Sequence, residues 1–110
     1  MDSILNSVKK MIGIAPEYDV FDPDLIIHIN SVFAILQQLG VGPEEGFYIE
    51  DANDEWDDFT EEINLQDVKS YMFLKVRMLF DPPSTSNAMQ AMTSLISEFE
   101  WRLNVSAETP

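Results

Sequence analysis

A chain of 110 residues with 45% hydrophobic residues and four glycines has the size and composition of one folded domain. Its net charge of -14, from 20 acidic and six basic residues, argues against a protein that grips DNA or an anionic membrane. The lack of cysteine excludes a disulfide framework, a thiolate metal site and a cysteine nucleophile. No apolar run is long enough to predict a membrane span, and we expect a cytosolic protein.

Two helices are predicted in the first 40 residues. The first has Asp2 or Ser3 as its N-cap and Gly13 as its terminator. The second begins at Asp22-Pro23, because the carboxylate can cap a free amide while proline needs no amide there, and it runs for about 17 residues. Its apolar stripe is wide enough to predict contacts on more than one side. The stripe consists of Leu25, Ile26, Ile29, Val32, Phe33, Leu36 and Leu39.

An acidic connection follows, from residue 41 to residue 64. Glycines and a proline break it near its start, so we expect a long loop with a short helical turn near Trp56. The segment from Gly46 to Ile49 is the one candidate strand of the chain. From Glu44 to Asp67, which lies just beyond the connection, the chain has eleven acidic residues and no Lys or Arg. The acids are Glu44, Glu45, Glu50, Asp51, Asp54, Glu55, Asp57, Asp58, Glu61, Glu62 and Asp67.

Two further helices are predicted after the acidic connection. Asn64 can cap the third, which Pro82-Pro83 must end. Ser84, Thr85 or Ser86 can cap the fourth, in which Met89, Met92, Ile96, Phe99 and Leu103 repeat at helical spacing. Residues 105–110 carry no structural signal. The sequence therefore predicts an all-α, four-helix bundle-like domain over residues 1–104, with the acidic loop between its second and third helices and a C-terminal tail at 105–110.

One set of acidic residues has the spacing of a calcium loop. Asp51, Asn53, Glu55, Asp57 and Glu62 fall at positions 1, 3, 5, 7 and 12 of an EF-hand loop. Position 6, which needs a glycine, holds Trp56, and no entering helix is predicted before Asp51. We therefore predict no metal site, and interpret the segment as a solvated loop or one that meets a basic partner.

Other candidate chemistry is sparse. The single histidine, His28, lies on the polar strip of the second helix, and no pattern supplies the nucleophile that a general base would serve. We interpret it as a surface or interface residue. No P-loop, dinucleotide fingerprint or hydrolase motif occurs, so we predict a protein that is not an enzyme and binds no cofactor. Met72, Met89 and Met92 are predicted in the core and Met78 at an interface.

Four sequence blocks carry a resemblance to a known family. They are SVKKMIGI (7–14), LGVGPEEGF (39–47), VRMLFDPPSTS (76–86) and EFEWRLN (98–104). In order and at matching spacing, they resemble the small head-tail connector proteins of long-tailed phages of Gram-positive hosts. The LFDPP turn followed by EWRLN is the most specific part, because turn and helix signals alone would not demand these residues. Residues 50–62 match no feature of that family.

The resemblance implies a structural virion protein, assembled in the host cytoplasm, with no cofactor, no catalytic residue and no membrane partner. It implies a ring of copies, usually dodecameric, that sits below the portal protein, extends the DNA channel and receives a tail-side stopper or tail completion protein. Genomic DNA would pass through without specific binding. An acid-rich wall would repel its phosphates, so we expect the acidic segment at the channel or at a subunit boundary.

Contact residues are predicted within this interpretation. We expect Trp101 and Arg102, with the tail from Val105 to Pro110, to dock on the portal, and Trp56 and Phe59 to contact neighbouring copies. A different class of function stays open from the residues alone, since a dense acidic segment is also typical of an inhibitor or DNA mimic that occupies a basic groove of a host protein.

Overall fold

The computed structural model describes residues 3–59 and 65–108. Five helices occur in these ranges, and they are α1 (Ile4–Met11), α2 (Asp22–Gln38), α3 (Trp56–Phe59), α4 (Leu65–Phe80) and α5 (Ser86–Glu108). The described residues contain no strand, and their one isolated β-bridge joins Ser3 to Glu55. The all-α prediction is confirmed, whereas the candidate strand from Gly46 to Ile49 is wrong.

Helix α1 has the ends that the sequence predicts. The Ser3 hydroxyl accepts a hydrogen bond from the backbone amide of Asn6 at 3.2 Å and so caps the first turn. After the last turn the chain reverses at Gly13, whose φ of 85° is readily adopted only by glycine. The amide of Ile14 then donates to the carbonyl of Lys9 at 2.8 Å, which satisfies the end of the helix.

Helix α2 begins at Asp22, but the capping role predicted for that residue is wrong. Its side chain makes no cap hydrogen bond, although Pro23 lies in the first turn as expected. The Asp22 Oδ1 atom lies instead 2.8 Å from Nζ of Lys9, whose side chain is 0% exposed. Lys9 also donates to the carbonyl of Pro16 at 2.8 Å. A buried ammonium needs a counter-charge more than the helix end needs a cap.

The core lies where α1, α2 and α4 pack against one another, with α5 packed along α4. The wide stripe of α2 faces it, which explains why that helix contacts two others. Helices α1, α2 and α4 supply Ile4, Leu5, Val8, Leu25, Ile29, Val32, Phe33, Leu36, Val68, Tyr71, Met72 and Val76. Helix α5 adds Ile96 and Leu103, and the acidic connection adds Val41, Ile49, Trp56 and Phe59.

Helices α4 and α5 form an antiparallel pair across the Pro82-Pro83 turn. Helix α4 ends at Phe80, as predicted, whereas its predicted cap Asn64 lies outside the described residues. The Thr85 hydroxyl accepts from the amide of Ala88 at 3.2 Å and caps α5. Between the helices, the Tyr71 hydroxyl donates to the Glu100 carboxylate at 2.7 Å. Burial, and to a smaller extent this hydrogen bond, raises the pKa of Tyr71 well above its ordinary value.

The C-terminal end of the chain differs from the prediction. Helix α5 continues past Asn104 to Glu108, so residues 105–108, for which the sequence carries no structural signal, are helical. The side-chain amide of Asn104 donates to the carbonyl of Leu39 at 3.3 Å. That bond fixes the last turns of α5 against the C-terminal end of α2. The helix therefore crosses the predicted boundary at residue 104 without a break.

The described part of the acidic connection, residues 41–59, is an ordered strap across α1 and α2. The Asn30 side chain donates to the Ile49 carbonyl at 3.0 Å and accepts from the Ile49 amide at 2.7 Å. Gln37 donates to the carbonyl of Glu44 at 2.9 Å, and the Trp56 indole donates to Ser7 at 3.3 Å. The short helical turn predicted near Trp56 is present as α3. These bonds hold in place a segment whose described part is irregular apart from α3.

Candidate assembly surfaces

The last turns of α5 present an aromatic side chain to solvent. Trp101 is 67% exposed, and Val105 follows it four residues later on the same side of the helix. Arg102 lies beside them and pairs with Glu98 at 3.3 Å, and its guanidinium lies 5.5 Å from the centre of the Phe99 ring. These three predicted portal-docking residues thus lie together at one surface. An exposed tryptophan flanked by arginine has the composition of a binding hot spot.

The two aromatic residues predicted to contact neighbouring copies lie elsewhere. Trp56 is buried and Phe59 nearly so, and both pack into the protein's own core. The Phe59 ring lies 4.9 Å from that of Phe33, and Trp56 lies edge-on to Phe73 at 6.4 Å. This packing leaves Trp56 and Phe59 almost no surface with which to contact a neighbouring copy.

The carboxylates of the acidic connection lie above this aromatic core. Of the acids in its described part, six are exposed, and Asp54 and Glu55 are partly buried. The exposed six are Glu44, Glu45, Glu50, Asp51, Asp57 and Asp58. Glu61 and Glu62 lie outside the described residues. The strap therefore packs its aromatic rings into the core and exposes most of its carboxylates to solvent.

Several of these carboxylates hold backbone amides. Asp54 Oδ2 accepts from the amide of Glu50 at 2.7 Å, and Asp51 Oδ1 accepts from Asn53 at 2.8 Å. Asp58 accepts from the amide of Glu55 at 2.9 Å, ahead of α3. No three acidic or histidine side chains converge as a metal site within residues 3–59 and 65–108. Glu62, the twelfth position of the calcium-loop spacing, is outside those ranges.

An exposed aromatic surface was missed by sequence reasoning. It forms where the loop before α2 meets the end of α4, and Phe21 lies 5.8 Å from Tyr18 and 5.2 Å from Phe80 between ring centres. His28 reaches the same cluster, 6.4 Å from Phe80, and so lies half-buried at the edge of this surface. The signal in the sequence was Tyr18, Val20 and Phe21 in one short loop, where helical periodicity does not apply.

The methionines divide between core and surface largely as their spacing indicated. Met72 is fully buried, and Met92 packs against the core. Met89 is half-buried. Met78, predicted at an interface, is also half-buried and packs against the core, so it offers a neighbour part of its side chain at most.

Comparison with known proteins identifies the family. A family model described as phage connector protein matches residues 4–110, which is nearly the whole chain. The chain belongs to the phage connector protein family. No curated protein and no solved structure matches it. The resemblance drawn from the four sequence blocks is thereby confirmed.

Membership in the phage connector family gives the surfaces a context. Connectors are structural virion proteins that join head to tail, and they associate with portal and tail proteins and with copies of themselves. A connector protomer therefore needs several separate contact surfaces. Within the described ranges no helix of this connector is long and apolar enough to cross a membrane.

Proposed function

We propose that this chain is a head-tail adaptor that forms a ring, dodecameric as the resemblance implies, directly below the portal. In that position the ring extends the DNA channel and receives a tail-side stopper or tail completion protein. The observation that carries the proposal is the phage connector match along residues 4–110. Exposed large hydrophobic side chains on the protomer also support the proposal, because such side chains often lie at contacts between subunits.

The portal contact in this proposal is made by the end of α5, through Trp101, Arg102 and Val105. Helix α5 is fixed to α2 by Asn104, so the exposed indole is presented from a rigid element. A tryptophan that is 67% exposed in the protomer has a large area left to bury against a partner.

The acidic connection supplies the channel or subunit-boundary surface. Its exposed carboxylates form an anionic layer with no cation among them in sequence from Glu44 to Asp67. Such a layer repels phosphates at close range, and lets DNA move past without being held. Genomic DNA is therefore a passing occupant and not a ligand of this protein.

Replacing Trp101 tests the portal contact. We expect Trp101→Ala to weaken binding of the full chain to purified portal protein by at least about tenfold, since a buried tryptophan anchor is a typical hot spot. Binding is measured by titration with biolayer interferometry, and circular dichroism checks that helicity is unchanged. Tyr48→Ala is the matched control, because Tyr48 is also 67% exposed but belongs to the acidic connection. Equal affinity of the wild-type and Trp101→Ala chains would refute the portal role of this surface.

The acidic-inhibitor hypothesis predicts a different result in the same assay. Its supporting observation is the exposed carboxylate layer, which fits a basic groove. An acidic mimic would show no affinity for portal protein and salt-sensitive affinity for a basic host nuclease or polymerase. Tight portal binding together with no such host target excludes this alternative.

A further inference from the structure

The first half of α5 and the turn before it form a segment without charge. Residues 82–97 contain no Asp, Glu, Lys, Arg or His, although 24% of the chain is charged. At that average, a segment of this length would hold about four charged residues. The charges resume on both sides, at Asp81 and Glu98.

One side of this uncharged segment is exposed. Helix α5 has 23 residues, of which Ile96 and Leu103 are buried; within the uncharged segment Ile96 is buried and Met92 packs against the core. Ala88, Ala91 and Leu95 are all exposed, and Leu95 is 44% exposed despite its apolar side chain. Their spacing of three and four residues places them on one stripe of the helix. The first half of α5 therefore presents an uncharged, partly apolar stripe that is exposed in the protomer.

Charge indicates what covers the stripe. Each copy carries a net charge of -14, so two copies repel one another wherever exposed carboxylates would meet. Contact between copies is least opposed at a surface that has no charge of its own. A basic partner or a DNA phosphate would gain no attraction from such a stripe, because it offers neither an acid nor a cation. Its small alanines also permit a neighbouring helix to approach closely.

We propose that the stripe of Ala88, Ala91 and Leu95 on α5 is a contact surface between neighbouring copies of this chain. The proposal rests on the proposed function in one respect, which is that connector copies assemble with one another. It assigns that contact to the first half of α5 and leaves the Trp101 surface at its other end to the portal. One helix thus serves two partners at its two ends.

Salt dependence is the first test. Sedimentation equilibrium of the full chain, at up to about 1 mM, is compared in about 50 mM and about 500 mM NaCl. We expect self-association to be stronger at the higher salt concentration, because screening removes repulsion between acidic copies while the uncharged contact is unaffected. Self-association that weakens with salt, or none at either concentration, would overturn the proposal.

A charge placed on the stripe is the second test. Ala91→Glu should weaken self-association at the higher salt by at least about tenfold, because an unpaired carboxylate would be buried at the contact. Ser106→Glu is the control, since it adds the same charge to an exposed site on the same helix outside the uncharged segment. Circular dichroism verifies that both variants keep their helicity. Equal association constants for the two variants would overturn the proposal.

Portal binding separates the two hypotheses. We expect isolated Ala91→Glu protomers to keep their affinity for portal protein while they lose self-association. If wild-type chain associates through the stripe but never binds portal, the proposed function fails and the self-contact stands. If it binds portal and Ala91→Glu associates normally, the adaptor function stands and this contact assignment is refuted.

Discussion

The side chain of Lys9 is fully buried between α1 and the start of α2, beside the carboxylate of Asp22. Asp22 Oδ1 is itself buried and accepts no well-aligned hydrogen bond, so the charge of Lys9 is what compensates it. An ammonium without a counter-charge is costly in a protein interior, whereas a close ion pair with further hydrogen bonds is tolerated. The pair thus fixes the loop between the first two helices.

Neutralising Asp22 tests this pair. We expect Asp22→Asn to lower the free energy of unfolding by about 2 kcal/mol or more, because it leaves the buried ammonium of Lys9 without a counter-charge. Asp24→Asn removes an exposed acid from the same first turn of α2. It should change the free energy of unfolding by less than about 1 kcal/mol. Urea denaturation measures both. Similar small losses for the two variants would show that the ion pair contributes little.

Prediction from sequence at the residue scale succeeded where the signal was local. Ser3 and Gly13 act on neighbours within one helical turn, so their roles follow from their types and positions. The partner of Asp22 lies 13 residues earlier in the chain, and nothing local distinguishes it from a capping residue. Trp56 and Phe59 were placed at an interface because an irregular segment has no periodic face from which burial can be inferred.

At the scale of elements, residues 41–59 of the acidic connection contain only the short helix α3 and yet are held at several points. Gly42, which has a φ of 90°, lies against the ring of Phe59. A β-carbon there would come within 2.4 Å of that ring, which is itself packed on Phe33 and cannot move away easily. A close approach of backbone to ring therefore locks the connection onto the core.

Adding a methyl group at Gly42 measures that lock. Gly42→Ala should lower the free energy of unfolding by about 3 kcal/mol. The alanine would have to adopt a left-handed backbone conformation, and its β-carbon would clash with the Phe59 ring. Gly13→Ala shares the positive φ but meets nothing within 4 Å, so it should cost only about 1–2 kcal/mol. Thermal or urea unfolding compares them. Equal losses would mean that Phe59 does not pack beneath Gly42.

The extent of α5 shows a limit of prediction at this scale. Residues 105–109 contain no glycine or proline and do not continue the apolar repeat, so the pattern does not indicate whether the helix extends beyond Asn104. In the structure the helix runs to Glu108, since Asn104 bonds to Leu39 and the last turn reaches the end of α2. Tertiary contact, which pattern analysis does not contain, supports the helix beyond Asn104.

For the whole molecule, the phage connector family and the charge distribution point to an assembly subunit. The end of α5, the uncharged half of the same helix and the acidic strap are chemically different surfaces on one small protein. The proposed adaptor would contact a portal, its own copies and a DNA channel, and it would need this kind of division because each partner has its own charge. Sequence patterns predicted the acidic and tryptophan surfaces but missed the aromatic cluster around Phe21.

The central claim is most directly tested by cryo-electron microscopy of purified portal protein mixed with this chain. We expect a ring of copies on the tail-facing side of the portal, with Trp101 buried against it and the acidic connection at the channel wall or between subunits. A portal that remains bare at saturating chain concentration, or a chain bound elsewhere on the particle, would contradict the adaptor function.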